Sequence, residues 1–110
     1  MEVYFVNAKL ASRLQNARNR QKEFGSQGAE RIDLRLQQLR AAPTLEDMRN
    51  MPGRCHELTA DRRGSLAIDV QQPYRLIFQP TDPARCRKAD GGLDWSAVDS
   101  VTITDIVDYH

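Results

Sequence analysis

"SLAIDVQQPYRLIFQ", residues 65–79, decides the fold. From Ser65 to Val70, Leu66, Ile68 and Val70 alternate with Ala67 and Asp69. From Tyr74 to Gln79, Tyr74, Leu76 and Phe78 alternate with Arg75 and Ile77. A period of two puts each apolar set on one face of a strand and the intervening residues on the other. "QQP" between the runs reads as a turn, with Pro73 where a strand begins. An arginine in mid-strand needs an anion or solvent, because an unpaired buried guanidinium is very costly. Asp69 on the preceding strand is the plain structural partner for Arg75, and a bound substrate anion is the functional one.

Outward from this pair the pattern changes. Toward the start, Cys55 to Leu58 reads as a short strand, and "TLEDMRNM" from Thr44 as one or two helical turns, with Asp47 three residues after Thr44. Ala29, Ile32, Leu36 and Leu39 recur at helical spacing, so a helix is expected over 29–41, stopped by Pro43. Gly25 to Gly28 separates it from an earlier arginine-rich helix, expected over 8–24 with Asn7 as N-cap and Ala8, Ala11, Leu14 and Ala17 as its weak stripe. Glu2 to Val6 is a first strand. Toward the end, Pro80 to Trp95 is a Pro/Gly/Asp/Arg-rich loop, long enough to be either mobile or functional, and Val98 to His110 is a last strand. The order is one strand, two helices, then antiparallel strands. This predicts an α+β, two-layer fold, with the N-terminal strand and two helices packed on one face of a mostly antiparallel four- to five-stranded sheet. One domain spans residues 1–110.

Composition narrows the classes. The chain has 40% hydrophobic and 28% charged residues, ordinary for a globular protein. No apolar run approaches a membrane span, and the start lacks a signal-peptide layout, so a cytoplasmic protein is expected. Cys55 and Cys86 stand far apart without a CxxC or a histidine cluster, so two reduced thiols are expected, with neither zinc nor any other metal or cofactor. Residues 1–63 hold twelve Lys/Arg against eight Asp/Glu, while residues 64–110 hold four against seven. The basic half is mostly arginine, whose planar fork suits phosphate, although arginine-rich helices are also common solvated faces. Arg13, Arg18, Arg31 and Arg35 fit either reading.

The groups suited to chemistry are few. The chain ends in "VDYH", with Asp108 and His110 of one parity and Tyr109 of the other. In a regular strand, Asp108 and His110 share a face with their Cα atoms about 6.6 Å apart. The only other histidine, His56, lies in "RCHELTADRRG" near Arg54, Arg62 and Arg63. Taken alone, His56 is equally a hydrogen-bonded structural imidazole, and a chain end is usually a solvated tail. Together, two imidazoles and an arginine suit metal-independent phosphodiester cleavage better than hydrolysis by a serine or a metal.

"RCHELTADRRGSLAIDVQQPYRLIF" followed by "VDYH" resembles the RelE/ParE superfamily of bacterial toxins, in its HigB-type (host inhibition of growth) branch. The resemblance spans about residues 52–110, and the preceding strand–helix–helix order agrees with it. It implies a RelE-like fold and a ribosome-dependent messenger-RNA endonuclease, the toxin of a type II toxin–antitoxin system. The partners implied are a helix-turn-helix, HigA-like antitoxin, the ribosome and its message, with operator DNA reached only through the antitoxin and no membrane. By position, the implied catalytic residues are His56, Arg75, Asp108 and His110, and the implied substrate-binding residues are Tyr109, Arg62 and Arg63. The family's basic residue and glycine before Asp-Arg are Thr59 and Ala60 here, so a phosphate contact is either missing or passed to Arg62 or Arg63. The loop over 80–95 is longer than in compact members.

In the implied mechanism the RNA 2′-hydroxyl attacks the adjacent phosphate, with Asp108 or His110 as base and His56 or His110 as acid. Arg75 stabilises the equatorial oxygens, and Tyr109 packs or stacks on a base. Two other readings compete: a ParE-like toxin that poisons DNA gyrase by binding, and an RNA- or DNA-binding adaptor carried by the arginine-rich helices.

Overall fold

The structure, a computed structural model, describes residues 1–108. Tyr109 and His110, both expected at the site, lie outside the described residues. Five strands form one mixed sheet in the order β1-β5-β4-β3-β2. They are β1 (Glu2–Phe5), β2 (His56–Glu57), β3 (Leu66–Asp69), β4 (Tyr74–Pro80) and β5 (Ser100–Asp108). β1 runs parallel to β5, and the other three pairings are antiparallel. Two helices, α1 (Ala8–Gln15) and α2 (Ala17–Ala41), supply the second layer. The α+β, two-layer expectation therefore holds, except that the N-terminal strand is an edge strand of the sheet rather than packed on its face with the helices.

The core follows the alternation. Leu66, Ile68, Leu76 and Phe78 are fully buried and join Ile32, Leu36 and Leu39 of α2 in one cluster with Leu10 and Leu14 of α1. Leu66 faces Phe78 and Ile68 faces Leu76 across the strands, so both apolar sets point to the helices. Burial of each such side chain stabilises the fold by about 1.5–3 kcal/mol.

The helical layer departs from expectation at two points. The first helix stops at Gln15 rather than running to residue 24. Asn16 is extended (φ −82°, ψ 120°) and caps α2 by accepting from Asn19 N at 2.9 Å, as Asn7 caps α1 by accepting from Leu10 N at 2.8 Å. Asparagine competes for backbone donors, so a mid-helix Asn is also a candidate restart. Of the expected stripe only Leu14 is buried, joined by Leu10 rather than by Ala8, Ala11 or Ala17, because leucine removes more apolar area from water. The expected break over 25–28 narrows to Gly25, the one non-helical residue inside α2 (φ 75°, ψ 175°). Gly28 stays helical and buried.

The basic helix residues are largely engaged within the fold. Arg13 pairs with Glu23 at 2.6 Å, and Arg20 caps α1 through the carbonyls of Leu14 (2.9 Å) and Gln15 (3.0 Å). Arg35 is buried at 4% exposure. Its Nε donates to the Asp69 carbonyl at 2.8 Å and its Nη1 to Gln38 Oε1 at 3.0 Å. Arg18 and Arg31 are exposed. No helix among the described residues is long and apolar enough to cross a membrane.

The loop after β4 has its own hydrogen-bonded frame. Single 3-10 turns occupy Pro83–Cys86 and Trp95–Ala97, Arg87 bridges Leu93, and Asp94 N donates to Cys86 O at 2.7 Å. Trp95 anchors the loop: its Nε1 donates to Glu57 at 3.0 Å, and the Arg49 guanidinium lies 3.9 Å from its ring centroid. The Thr44 turn is also present, as a 3-10 turn over Leu45–Met48 with Thr44 N donating to Asp47 at 3.0 Å.

Gly53 makes the passage for Arg35 possible. A Cβ there would lie 2.8 Å from Ile68 Cγ1 and 2.9 Å from Arg35 Nε, and its φ of +108° suits glycine. Gly53→Ala should therefore destabilise the protein by about 1–3 kcal/mol. Urea denaturation of the two proteins checks this, read at unchanged m-value.

Candidate functional site

The candidate groups gather on the sheet face turned away from the helices. Antiparallel register sets them in two rows. His56 faces Ala67, Ala67 faces Ile77, and Ile77 faces Asp105, while Asp69 faces Arg75, which faces Val107. Directly paired residues share a face, so His56, Arg75, Asp69 and Asp105 all belong to this outer face. The rows stand two residues apart along β3, about 6.6 Å.

Asp69 organises the second row. Arg54 Nε donates to Oδ2 at 2.8 Å, and Arg75 Nε lies 2.8 Å from Oδ1 as an ion pair rather than an aligned hydrogen bond. The plain partner expected for Arg75 is thus present. The Asp69 backbone is held as well, its N–H by Gly53 O at 2.7 Å and its carbonyl by Arg35. Arg54, Asp69, Tyr74 and Arg75, with Gln72 and Pro73, line a shallow recess of about 40 Å³.

His56 joins this group through the backbone. Its Nδ1 lies 2.6 Å from the Arg54 carbonyl. A carbonyl only accepts, so Nδ1 carries the proton and Nε2 is left for proton transfer. His56 borders an open cleft of about 430 Å³ shared with Thr59, Ala60, Asp61 and Arg62. Arg62 belongs to the turn between β2 and β3, yet it reaches Asp105 on β5 at 3.7 Å, so it must cross the outer face. Arg63 does not join it. It lines a separate cleft of about 360 Å³ with Glu57, Gly64, Arg87 and Leu93, between the β2–β3 turn and the long loop.

The register sets Asp108 apart from Arg75. Asp108 faces Tyr74 on β4, whereas Arg75 faces Val107, so the register puts Asp108 and Arg75 on opposite sheet faces. The cause is a β-bulge. Pairing slips between Ile77 and Phe78, which face Asp105 and Ile103, and Thr104 is the extra residue, its hydroxyl donating to Ile77 O at 3.2 Å. A bulge reverses the parity of all that follows. Val101 and Ile103 point to the core before it, Ile106 after it. Asp108 therefore stands at the exposed end of β5 beside Tyr74, whose ring meets Phe24 edge-on at 5.2 Å. The roles given to Tyr109 and His110 lie outside the described residues.

The sequence reading also missed Arg54 and Asp105 as members of the site. Arg54 was legible only as a neighbour of His56, since its placement needs the left-handed backbone at φ +50°. Asp105 was hidden by the bulge. The two thiols are free, and burial pushes the Cys55 thiol up to about 12, so it is not a thiolate at neutral pH. Among the described residues no group of three or more His, Cys, Asp or Glu converges as a metal cage. Comparison with protein-family models and with curated proteins finds no match to this chain.

Two measurements check this geometry. Ala60 sits at φ +56°, where a Cβ costs about 1–2 kcal/mol, so Ala60→Gly should raise stability by about 0.5–1 kcal/mol after glycine's entropy is deducted. Urea denaturation reads it. Long-range nitrogen–proton NMR on neutral His56 should show the proton on Nδ1 and a bare Nε2. The opposite tautomer would break the link to Arg54.

Proposed function

We propose that the chain is a RelE-like toxin of the HigB type, a ribosome-dependent messenger-RNA endonuclease that blocks translation and is held in check by a helix-turn-helix antitoxin. One observation carries the reading: an imidazole with its Nε2 left open stands on the same sheet face as two arginines drawn to one carboxylate. The resemblance of "RCHELTADRRG", "YRLIF" and "VDYH" supplies the family; the geometry supplies groups competent for its chemistry.

The reaction needs two proton transfers and a place for charge on phosphorus. The 2′-oxygen forms a bond to the adjacent phosphorus as its proton leaves, and the bond to the 5′-oxygen breaks as that oxygen gains a proton. His56 acts through Nε2, as base when neutral or as acid when charged. His110 is the partner in the opposite role on the strength of the terminal motif. Asp108 is the weaker partner, because the register sets it across the sheet from Arg75. Arg75 faces the developing charge on the equatorial oxygens. Arg62 borders the His56 cleft and is placed to meet the RNA backbone, and Tyr109 serves to stack or pack against a base. No cofactor takes part in this scheme. The ribosome supplies orientation of the message that so open a face does not provide alone.

Mapping 5′ ends of cellular transcripts after brief induction tests the class. Cuts should fall inside translated frames and vanish when translation is blocked. His56→Ala, Arg75→Ala and His110→Ala should each lower cutting by about 10²-fold or more. Undiminished cutting in these variants would remove the catalytic assignment. DNA double-strand breaks without RNA ends would instead identify a gyrase binder, and RNA binding without either would identify an adaptor.

A further inference from the structure

We infer that the cleft between the β2–β3 turn and the long loop seats one nucleotide of single-stranded RNA beside the cut, with Arg63 and Arg87 on its phosphate and Glu57 accepting from the amino group of its base. This rests on the nuclease reading for the strand and adds to it a second subsite with a base preference.

Glu57 joins this cleft to the His56 cleft, since it lines both. His56 and Glu57 are neighbours on β2 and belong to opposite faces. His56 pairs with Ala67 on the outer face, and Glu57 pairs with Leu66 on the helix side. β2 is an edge of the sheet, so a strand held at His56 has only that edge to cross before it meets Glu57. Trp95 Nε1 occupies Glu57 Oε2 at 3.0 Å, while Oε1 has no partner among the described residues. A carboxylate oxygen held in this way accepts from an exocyclic amine and repels a carbonyl.

The arginines come from opposite walls. Arg63 closes the β2–β3 turn, and its guanidinium has neither an ion pair nor a hydrogen bond among the described residues. Arg87 is presented by a tight reversal of the loop. It bridges Leu93, Lys88 N donates to Gly92 O at 2.7 Å, and Gly91 N donates to Lys88 O at 3.0 Å. Only Nη1 of Arg87 is engaged, with Gly91 O at 3.3 Å, which leaves most of its donors for a ligand. Lys88 and Asp90 flank Gly92 and offset each other, so two guanidinium groups facing the Glu57 carboxylate leave the cleft a positive excess. Guanidinium planes also stack on bases, and Pro83 and Leu93 add apolar surface. At about 360 Å³ the cleft lies within the span of ligand pockets, about 300–1,000 Å³, and admits one nucleotide rather than a folded partner. A Cβ on Gly64 or Gly91 would meet nothing within 4 Å, so backbone on both walls is open to close approach.

The test uses the full chain and fluorescent 2′-O-methyl hexanucleotides, which lack the attacking hydroxyl and so report binding without cleavage. Oligocytidine and oligouridine differ at C4, where one carries an amino donor and the other a carbonyl acceptor. Fluorescence anisotropy at several salt concentrations should show a preference for oligocytidine of about fivefold. Arg63→Ala and Arg87→Ala should each weaken both ligands about tenfold, keep that ratio and reduce the salt slope by about 0.7. Glu57→Gln keeps an acceptor for Trp95 and turns a donor to the base, so the ratio should fall to about one or reverse. Loss of the charge alone strengthens both ligands alike, so the ratio reads the hydrogen bond. Emission of Trp95, the only tryptophan, shows whether each variant is folded. No binding by the parent protein, arginine effects below about twofold, or a ratio unmoved by Glu57→Gln would each overturn the proposal. Arg63 and Arg87 are exposed, so they decide the matter alone if the Gln variant fails to fold. Binding of oligoglutamate through the two arginines, with no binding of RNA, would assign the cleft to a protein partner and overturn it as well. Transcript cutting with unaltered hexanucleotide binding by the arginine variants would sink the subsite and leave the nuclease. Base-selective binding without transcript cuts would do the reverse.

Discussion

The buried Arg35 guanidinium is the constraint on which the site depends. A cation at 4% exposure must find acceptors, and Arg35 finds the Asp69 carbonyl and Gln38 Oε1. Burial and the nearby Arg31 both push its pKa down, and Asp69 opposes them. The arrangement ties α2 to the end of β3, the residue whose side chain gathers Arg54 and Arg75. Gly53 admits the guanidinium by lacking a Cβ and accepts the Asp69 amide. The helical layer thus reaches through the sheet's end to fix groups on the opposite face. Replacing a whole buried ion pair by apolar residues is often neutral for stability, whereas removing one partner is costly. Here loss of Arg35 would also leave the Asp69 carbonyl without its donor, so specificity of placement is what Arg35 adds.

Much of this was legible in the sequence where a strong period met an apolar core. The alternation over 65–79 gave the β3–β4 pair, the buried faces and the Asp69–Arg75 contact. Ile32, Leu36 and Leu39 are buried as their spacing requires. The break at Asn16 was less legible because Ala, Arg and Gln around it are all good helix formers. Nor did local pattern show that β1 pairs parallel with β5, since parallel pairing is set by the chain's path rather than by either strand's composition.

The end of the chain was the harder part, for one physical reason. Period-two reasoning carries a face assignment along a strand only while the ladder is regular. One bulged residue, Thr104, moves Asp105 to the outer face and Asp108 to the side of Tyr74. Thr104 looks like any β-branched strand residue, and its hydroxyl bond to Ile77 O is a tertiary feature that sequence spacing does not encode. The long loop misled in a milder way. Its Pro, Gly and Asp content predicted irregular backbone correctly, yet Trp95 and Glu57 give it a fixed anchor that composition conceals.

The outer face therefore combines two kinds of charge with different duties. Its carboxylates, Asp69 and Asp105, are engaged by arginines; its imidazole is oriented by a carbonyl. At an exposed site such as Arg62–Asp105 an ion pair is worth at most about 1 kcal/mol, so these contacts are poor explanations of stability. They are better explanations of orientation. Flexible arginines held by nothing lose side-chain entropy whenever they are ordered. Fixing Nε against a carboxylate removes part of that loss beforehand. Backbone at φ +50° in Arg54 does the same for His56, since the turn that aims the guanidinium also aims the carbonyl that holds the ring. A single residue with left-handed backbone thereby couples the placement of the His56 ring to that of the guanidinium on Asp69.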